Sequence, residues 1–415
     1  MRKPRHLSPS AELSASFYHV HTRCVDRSFK FEDGQRGAWI KDKFVQMMRE
    51  YEALLGVRVQ SYCLMSNHIH LLLEVPPKKK GAAVPMSDEV FLGKIKAFYS
   101  KVYYVDVKQM LERFRKGGSD KAAEKLKAQF TSRMYDLSEF VKSLKQRFTQ
   151  WYNKTHDRTG TLWEGRFKSV LVEDGYAARV MSAYIDLNPI RAGMVSRPED
   201  YRWSSYGEAM KPKADAGRAL ARAGLCRLMQ LYQETGGRVS PEQSEVLWKG
   251  VPDDDVAKGG KGSEGTGKEK GIEGESVGVT AKEGVKEETA KGITGAEWYR
   301  MMLYADGEEV FSSRPESGVE KILVRKGFKR KDVESVLAKG GKLSFGEALR
   351  CKVRYLTDGM VFGTRDFVNK VFKGSRDHFS EKRSSGARSI RGVAWKEGSD
   401  ERLYSMRALK KETLK

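Results

Sequence analysis

From Pro252 to Glu297 the chain has no aromatic residue and is dominated by Gly, Lys and Glu. Such a stretch cannot bury enough apolar surface to offset the entropy of ordering it. It therefore predicts a flexible, disordered linker over 251–297 and divides the chain in two. A length of 415 residues suits two or three domains, each able to bury its own core. The expected organisation is a first domain over 1–210 with a helical insertion at about 78–135, a helical extension over 211–250, the linker, and a smaller, mostly helical C-terminal domain over 298–415.

Charge narrows the class of partner. Lys and Arg total 77 against 55 Asp and Glu, a formal net charge of +22. A surplus of that size creates a long-range positive field that favours a polyanion, nucleic acid first and an anionic membrane surface second. No apolar run approaches the roughly 18–20 residues that span a bilayer. The start, "MRKPRHLSPSAEL", lacks the apolar core of a signal peptide. Cys24, Cys63, Cys226 and Cys351 are scattered without a CxxC pair, so neither a zinc site nor a disulfide framework is expected. These features predict a cytoplasmic, nucleic-acid-associated protein with no membrane partner.

Periodicity supplies the elements. "SFYHVHTRCV" reads as a strand, and "KDKFVQMMREYEALLG" as a helix with Phe44, Met47, Met48, Tyr51 and Leu55 on one side, stopped by Gly56. "VRVQSYCLMS" and "NHIHLLLEV" read as two strands joined through Ser66-Asn67. Residues 78–137 carry charged amphipathic helices broken at Gly117-Gly118. A further helix, "DLSEFVKSLKQRFTQWYNK", has Asp136 or Ser138 as its cap. "GTLWEGRFKSVLVED" returns to strand character, and a helix then begins near Asp174 and stops before Pro189. The order predicts an α+β fold, an antiparallel sheet with helices packed on it.

Two H-x-H triplets stand out among only seven histidines: His19-Val20-His21 and His68-Ile69-His70. Residues i and i+2 of a strand share a face, so each triplet projects two imidazoles side by side. Two imidazoles on a rigid strand form a half-site for a divalent cation, or simply a half-exposed strand that carries histidine. Spacing leaves both readings open and does not separate the triplets. In "DGYAARVMSAYIDLNP", Ala177, Val180, Met181, Tyr184, Ile185 and Asn188 fall on one helical stripe. On composition alone Tyr184 reads as a packed aromatic. Asn188 one turn later would bring a carboxamide out beside its phenol.

Together, "FYHVHTR", "CLMSNHIHLLLEV", "GTLWEGRFKSVLVED", "AYIDLNPIRAGMV" and "YRWSSY" resemble the REP-associated single-tyrosine transposases of the HUH endonuclease superfamily. The resemblance covers residues 14–77 and 136–208, with 78–135 as an insertion. It implies a ferredoxin-like HUH domain, with His68 and His70 as metal ligands, Asn188 as a third, and Tyr184 as the nucleophile. His19 matches a common strand motif of the family. His21 departs from the family's small polar residue, so its contact with the site stays open. The implied cofactor is Mg²⁺ or Mn²⁺, and the implied partner single-stranded or hairpin DNA at REP-like repeats, in association with the bacterial nucleoid. The implied chemistry is nicking and rejoining through a 5′-phosphotyrosine. A related HUH replication initiator or relaxase, and a non-catalytic hairpin-binding relative, are the alternatives. Monomer and homodimer both stay open.

Between Val141 and Val170 seven basic residues face two acidic ones, with Phe148, Trp151, Tyr152, Trp163 and Phe167 interleaved. Most of these rings read as core. Arg166 and Lys168 are the better phosphate contacts, with Lys145, Arg147 and, just beyond "NP", Arg191 as further candidates. Farther on, "LSFGEALRCKVRYLTDGMVFGTRDFVNKVF" predicts a helix, a turn with Gly359 and Gly363, and a second helix capped by Thr364. That pattern fits a helix-turn-helix followed by the basic arm "SEKRSSGARSIRG", a DNA-binding or protein-contact module.

Overall fold

The computed structural model describes residues 8, 10–32, 36–229, 243–244, 248, 295–306, 310–311, 323–325, 354–357, 359–389 and 402–406. Strand β1 (Ser16–Arg23) is followed by helix α1 (Gly37–Leu55) and the hairpin of β2 (Arg58–Leu64) and β3 (His68–Val75). The expected face of α1 is the buried one, Phe44, Met47, Met48, Tyr51 and Leu55. Gly56 ends the helix in the left-handed region at φ 67°, where a side chain would be strained. The hairpin turns through Ser66-Asn67, with Met65 N donating to His68 O at 2.9 Å.

The segment over 78–135 is helical, as expected: α2 (Asp88–Phe98), α3 (Lys101–Lys116) and α4 (Asp120–Thr131). Phe91, Ile95, Val107, Leu111, Ala123 and Leu126 give it a small core of its own. Helix α5 (Leu137–Thr155) starts at Asp136, whose side chain accepts from the backbone N–H groups of Ser138 and Glu139. Strand β4 (Lys168–Val172) leads into α6 (Tyr176–Asp186). This helix ends earlier than expected. Leu187 interrupts it, and a one-turn helix, α7 (Asn188–Arg191), restarts with Pro189 in its first turn, where proline's missing N–H costs nothing. Helices α8 (Ser205–Ala209), α9 (Ala216–Leu228) and α10 (Gly295–Asp306) follow.

The sheet has the order β2-β3-β1-β4 and is antiparallel throughout these four strands. Period-two alternation sorts its side chains. Tyr18, Val20, Ile69, Leu71, Leu73 and Leu171 pack with α1 and α5. Phe17, Leu72, Val170 and Val172 pack with α6, α9 and α10. The α+β class expected from the sequence is the one observed, with helices on both faces. The segment "YRWSSY" closes the β2 edge: Leu64 N donates to Trp203 O at 2.9 Å and Tyr62 N to Ser205 Oγ at 2.7 Å.

The C-terminal region differs from expectation. A short ladder joins β5 (Val310–Phe311) to β6 (Leu323–Arg325), and α11 (Arg354–Thr357) precedes β7 (Val361–Gly363), α12 (Arg365–Gly374), β8 (Arg388–Ser389) and β9 (Tyr404–Met406). Strand β7 pairs in parallel with β4, and β9 and β8 extend the same sheet to seven strands. The turn of the expected helix-turn-helix is therefore a strand, because Val361 and Phe362 are buried against Leu171 and Val172. Thr364 does cap the second helix, accepting from Phe367 N. The first helix of that motif lies outside the described residues except for its last turn, α11. The linker expected over 251–297 lies outside them too, apart from 295–297, which already belong to α10.

Candidate active site

Register brings the two triplets together. β1 and β3 pair so that His21 lies opposite His70 and Arg23 opposite His68, while β4 puts Lys168 opposite His21. All these positions share the sheet face that α6 covers. His70 is sandwiched, its ring centroid 5.2 Å from His19 and 5.0 Å from His21 with near-parallel planes. His68 stands edge-on to His70 at 5.0 Å. His21 belongs to this imidazole cluster through its contact with His70.

Helix α6 lays Tyr184 across the imidazoles. Its ring meets His70 edge-on at 5.7 Å and His19 at 6.0 Å. Asn188 Nδ2 donates to Tyr184 O at 2.8 Å and Ile185 O at 3.2 Å, which fixes its amide so that Oδ1 is the remaining polar atom. Arg191 Nη1 also donates to Tyr184 O, at 2.9 Å, and its guanidinium lies 4.9 Å from the Tyr184 ring centre. Arg191 thus sits on the tyrosine itself.

A cavity of about 630 Å³ opens beside these groups. Its walls include His21, His68, His70, Tyr184 and Asn188, with four cationic side chains, Arg23, Arg27, Arg166 and Lys168, against one carboxylate, Glu164. Thr22, Gly165 and, from α11, Thr357 complete it. Tyr184 is only 2 % exposed, and the cavity is the open space that it lines.

Burial sets the protonation of the imidazoles. It lowers His19 to about 4, opposed by the hydrogen bond to the Leu356 carbonyl. It lowers His68 to about 4, with Arg23 adding to the effect. His21 falls to about 3 through burial and then the neighbouring His19 and His68. His70, fully enclosed, is held well below the ordinary value. All four are neutral at pH 7, the form that has a lone pair to offer a cation. Among the described residues no three His, Cys, Asp or Glu side chains are placed to hold a metal on their own. The groups in the cavity wall whose chemistry could donate to a cation are the neutral imidazoles of His68 and His70 and the carboxamide oxygen of Asn188.

Of the basic candidates, Arg166 and Lys168 line the cavity. Lys145 adjoins it, donating to Gly165 O at 2.8 Å. Arg147 is not in the wall; it pairs with Glu50 at 2.7 Å and lies over the Phe98 ring. Phe148, Tyr152 and Trp163 are core, as read from the sequence. Arg23, Arg27, Glu164 and Thr357 join the wall without belonging to the site expected from the sequence. Arg23 had a signal, since it continues the alternation His19-x-His21-x-Arg23 on the same strand face.

Residues 15–117 match the family described as "Transposase IS200 like". A transposase family is thus what the sequence comparison finds, in agreement with the resemblance drawn from the motifs. The IS200-like match contains both histidine triplets, runs into the helical segment read as an insertion, and ends before Tyr184. A solved structure of a REP-associated tyrosine transposase bound to a REP hairpin is 12% identical, covering 52% of this chain and 93% of that one, with a TM-score of 0.31. No curated protein matches the chain. Among the described residues no helix is long and apolar enough to cross a membrane.

Proposed function

We propose that the protein is a metal-dependent nuclease and strand transferase of transposase type, which nicks and rejoins single-stranded DNA at hairpin-forming repeats. The observation that carries this reading is the approach of the Tyr184 ring to His70, 5.7 Å between centroids, in a cationic cavity that also holds His68 and Asn188. These groups lie together within one chain. The IS200-like family of residues 15–117 supports the same chemistry.

In this reading His68, His70 and Asn188 hold Mg²⁺ or Mn²⁺. Such a cation, when bound, withdraws charge from the scissile phosphate. Arg166, Lys168, Arg23 and Arg27 hold the flanking phosphates. Tyr184 Oη attacks the phosphorus and the bond to the 3′ oxygen breaks. The phenol proton passes to water in the cavity, and the 3′ oxygen takes up a proton to become a free hydroxyl. The 5′-phosphotyrosine retains the bond energy for rejoining without a nucleotide cofactor. Arg191, packed on Tyr184, positions the ring.

The test is a labelled hairpin with single-stranded flanks, incubated with Mg²⁺ or Mn²⁺. Wild type should give a covalent protein–DNA adduct, and Tyr184→Phe none. Tight hairpin binding without an adduct from wild type across several hairpins would instead favour a binding-only relative. The 2 % exposure of Tyr184 is the observation on that side.

A further inference from the structure

The hydrogen bonds behind the His68–His70 pair determine which ring nitrogen of each carries its proton. His19 Nδ1 lies 2.8 Å from the carbonyl oxygen of Leu356 in α11. A carbonyl only accepts, so Nδ1 of His19 carries the proton. His19 is 1 % exposed and stacks on His70, surroundings that favour the uncharged ring, and with its proton on Nδ1 that ring has a bare Nε2. That atom lies 2.9 Å from His70 Nδ1, which must therefore donate. His70, with its proton on Nδ1, is left with a bare Nε2.

A second chain of bonds reaches His68 from another direction. Asn67 Nδ2 donates to the Arg27 carbonyl at 2.8 Å, which fixes the amide and turns Oδ1 toward His68. Oδ1 lies 2.7 Å from His68 Nδ1, so this nitrogen donates as well, and His68 Nε2 is bare. Arg27 reaches this place through a strained turn, with Asp26 at φ 56° and Arg27 at φ 53°. The turn is tied to the hairpin by Cys24 N donating to Asn67 O at 2.8 Å. Among the described residues neither Nε2 has a hydrogen-bond partner.

We propose that two outer relays, Leu356 O–His19–His70 and Arg27 O–Asn67–His68, lock both imidazoles in the Nδ1–H tautomer and present both Nε2 lone pairs for one divalent cation. This rests on the metal reading above and deepens it: His19 and Asn67 become positioning residues, and α11, far along the chain, becomes part of the site. Outer partners of ligating histidines set ring orientation and raise ligand basicity, and losing one typically costs about 10–100-fold in metal affinity.

Two measurements test it. Long-range ¹H–¹⁵N spectra of the metal-free full chain, labelled at histidine, should show Nδ1–H tautomers for His19, His68 and His70. An Nε2–H tautomer at His68 or His70 overturns the proposal, whatever the metal does. Titration with Mn²⁺, followed by electron paramagnetic resonance, should show about 10–100-fold weaker binding for His19→Leu and Asn67→Ala. His19→Gln keeps both an acceptor for the His70 N–H and a donor to the Leu356 carbonyl and should recover most of the affinity, which excludes misfolding as the cause at that position, and the thermal unfolding midpoint of Asn67→Ala checks its folding. Wild-type affinity in folded His19→Leu and Asn67→Ala overturns the proposal. If wild type shows the expected tautomers and binds no Mn²⁺, the tautomer lock stands, and the metal reading fails together with the cation role given to the lock.

Discussion

At the scale of single residues, the site depends on keeping polar groups buried without charging them. His70 is 2 % exposed and shares its face with three other imidazoles. As a direct ligand in the proposed site, its replacement by alanine should cost more nicking activity than the roughly 10–100-fold of an outer partner. Rates on a labelled hairpin check this. Asp186 behaves differently. Burial raises its carboxyl to about 7, even though Tyr299 Oη donates to it at 2.7 Å and Tyr206 N at 3.2 Å. Because Tyr299 gives its proton to Asp186, the 2.7 Å bond from Ser182 is donated by the serine. The folded carboxyl binds its proton more tightly than the unfolded one. This group's stabilising contribution is therefore full below about pH 4 and is lost as pH rises through about 7. Wild type should lose a few kcal/mol relative to Asp186→Asn across that window. Urea unfolding of both proteins between pH 4 and 8 measures the difference, and parallel profiles would refute it.

At the scale of elements, close approach of backbones decides where helices sit. Helix α9 crosses β2 at Gly224, where a Cβ would lie 2.6 Å from the Gln60 carbonyl oxygen and 3.0 Å from its Cα. Neither atom can move without shifting the strand, so Gly224→Ala should destabilise by about 1–3 kcal/mol. The readout is the urea midpoint at an unchanged slope. Helix α6, which carries Tyr184, was legible in outline because its apolar stripe is regular. Its end was not, since Pro189 is tolerated in the first turn of a new helix as readily as it ends an old one. Strand β7 was illegible for another reason. Three residues, Val361–Gly363, between two helical patterns look like a turn until β4 offers an edge to pair with.

At the scale of the whole molecule, the +22 charge is a long-range field, and the cavity wall adds four cationic side chains against one carboxylate. Single-stranded DNA affinity should fall linearly on a log–log plot against salt. Arg166→Ala and Lys168→Ala should each reduce the slope by about 0.7, the single-strand value for one phosphate contact. Arg147→Ala should leave the slope unchanged, because that guanidinium is committed to Glu50. Fluorescence anisotropy over a salt series distinguishes these outcomes.

The sequence by itself determined the α+β class, the shared face of His68 and His70, and the helical stripe that carries Tyr184. Each follows from a local period, two along a strand or 3.6 along a helix. Only the tertiary structure decided that the second triplet joins the first, since that depends on the β1–β3 register, which sets His21 opposite His70, far along the chain. The same holds for Leu356, whose carbonyl reaches His19 across 337 positions of chain. A backbone carbonyl leaves no mark in a sequence, because every residue has one, and only the fold says which of them meets a histidine.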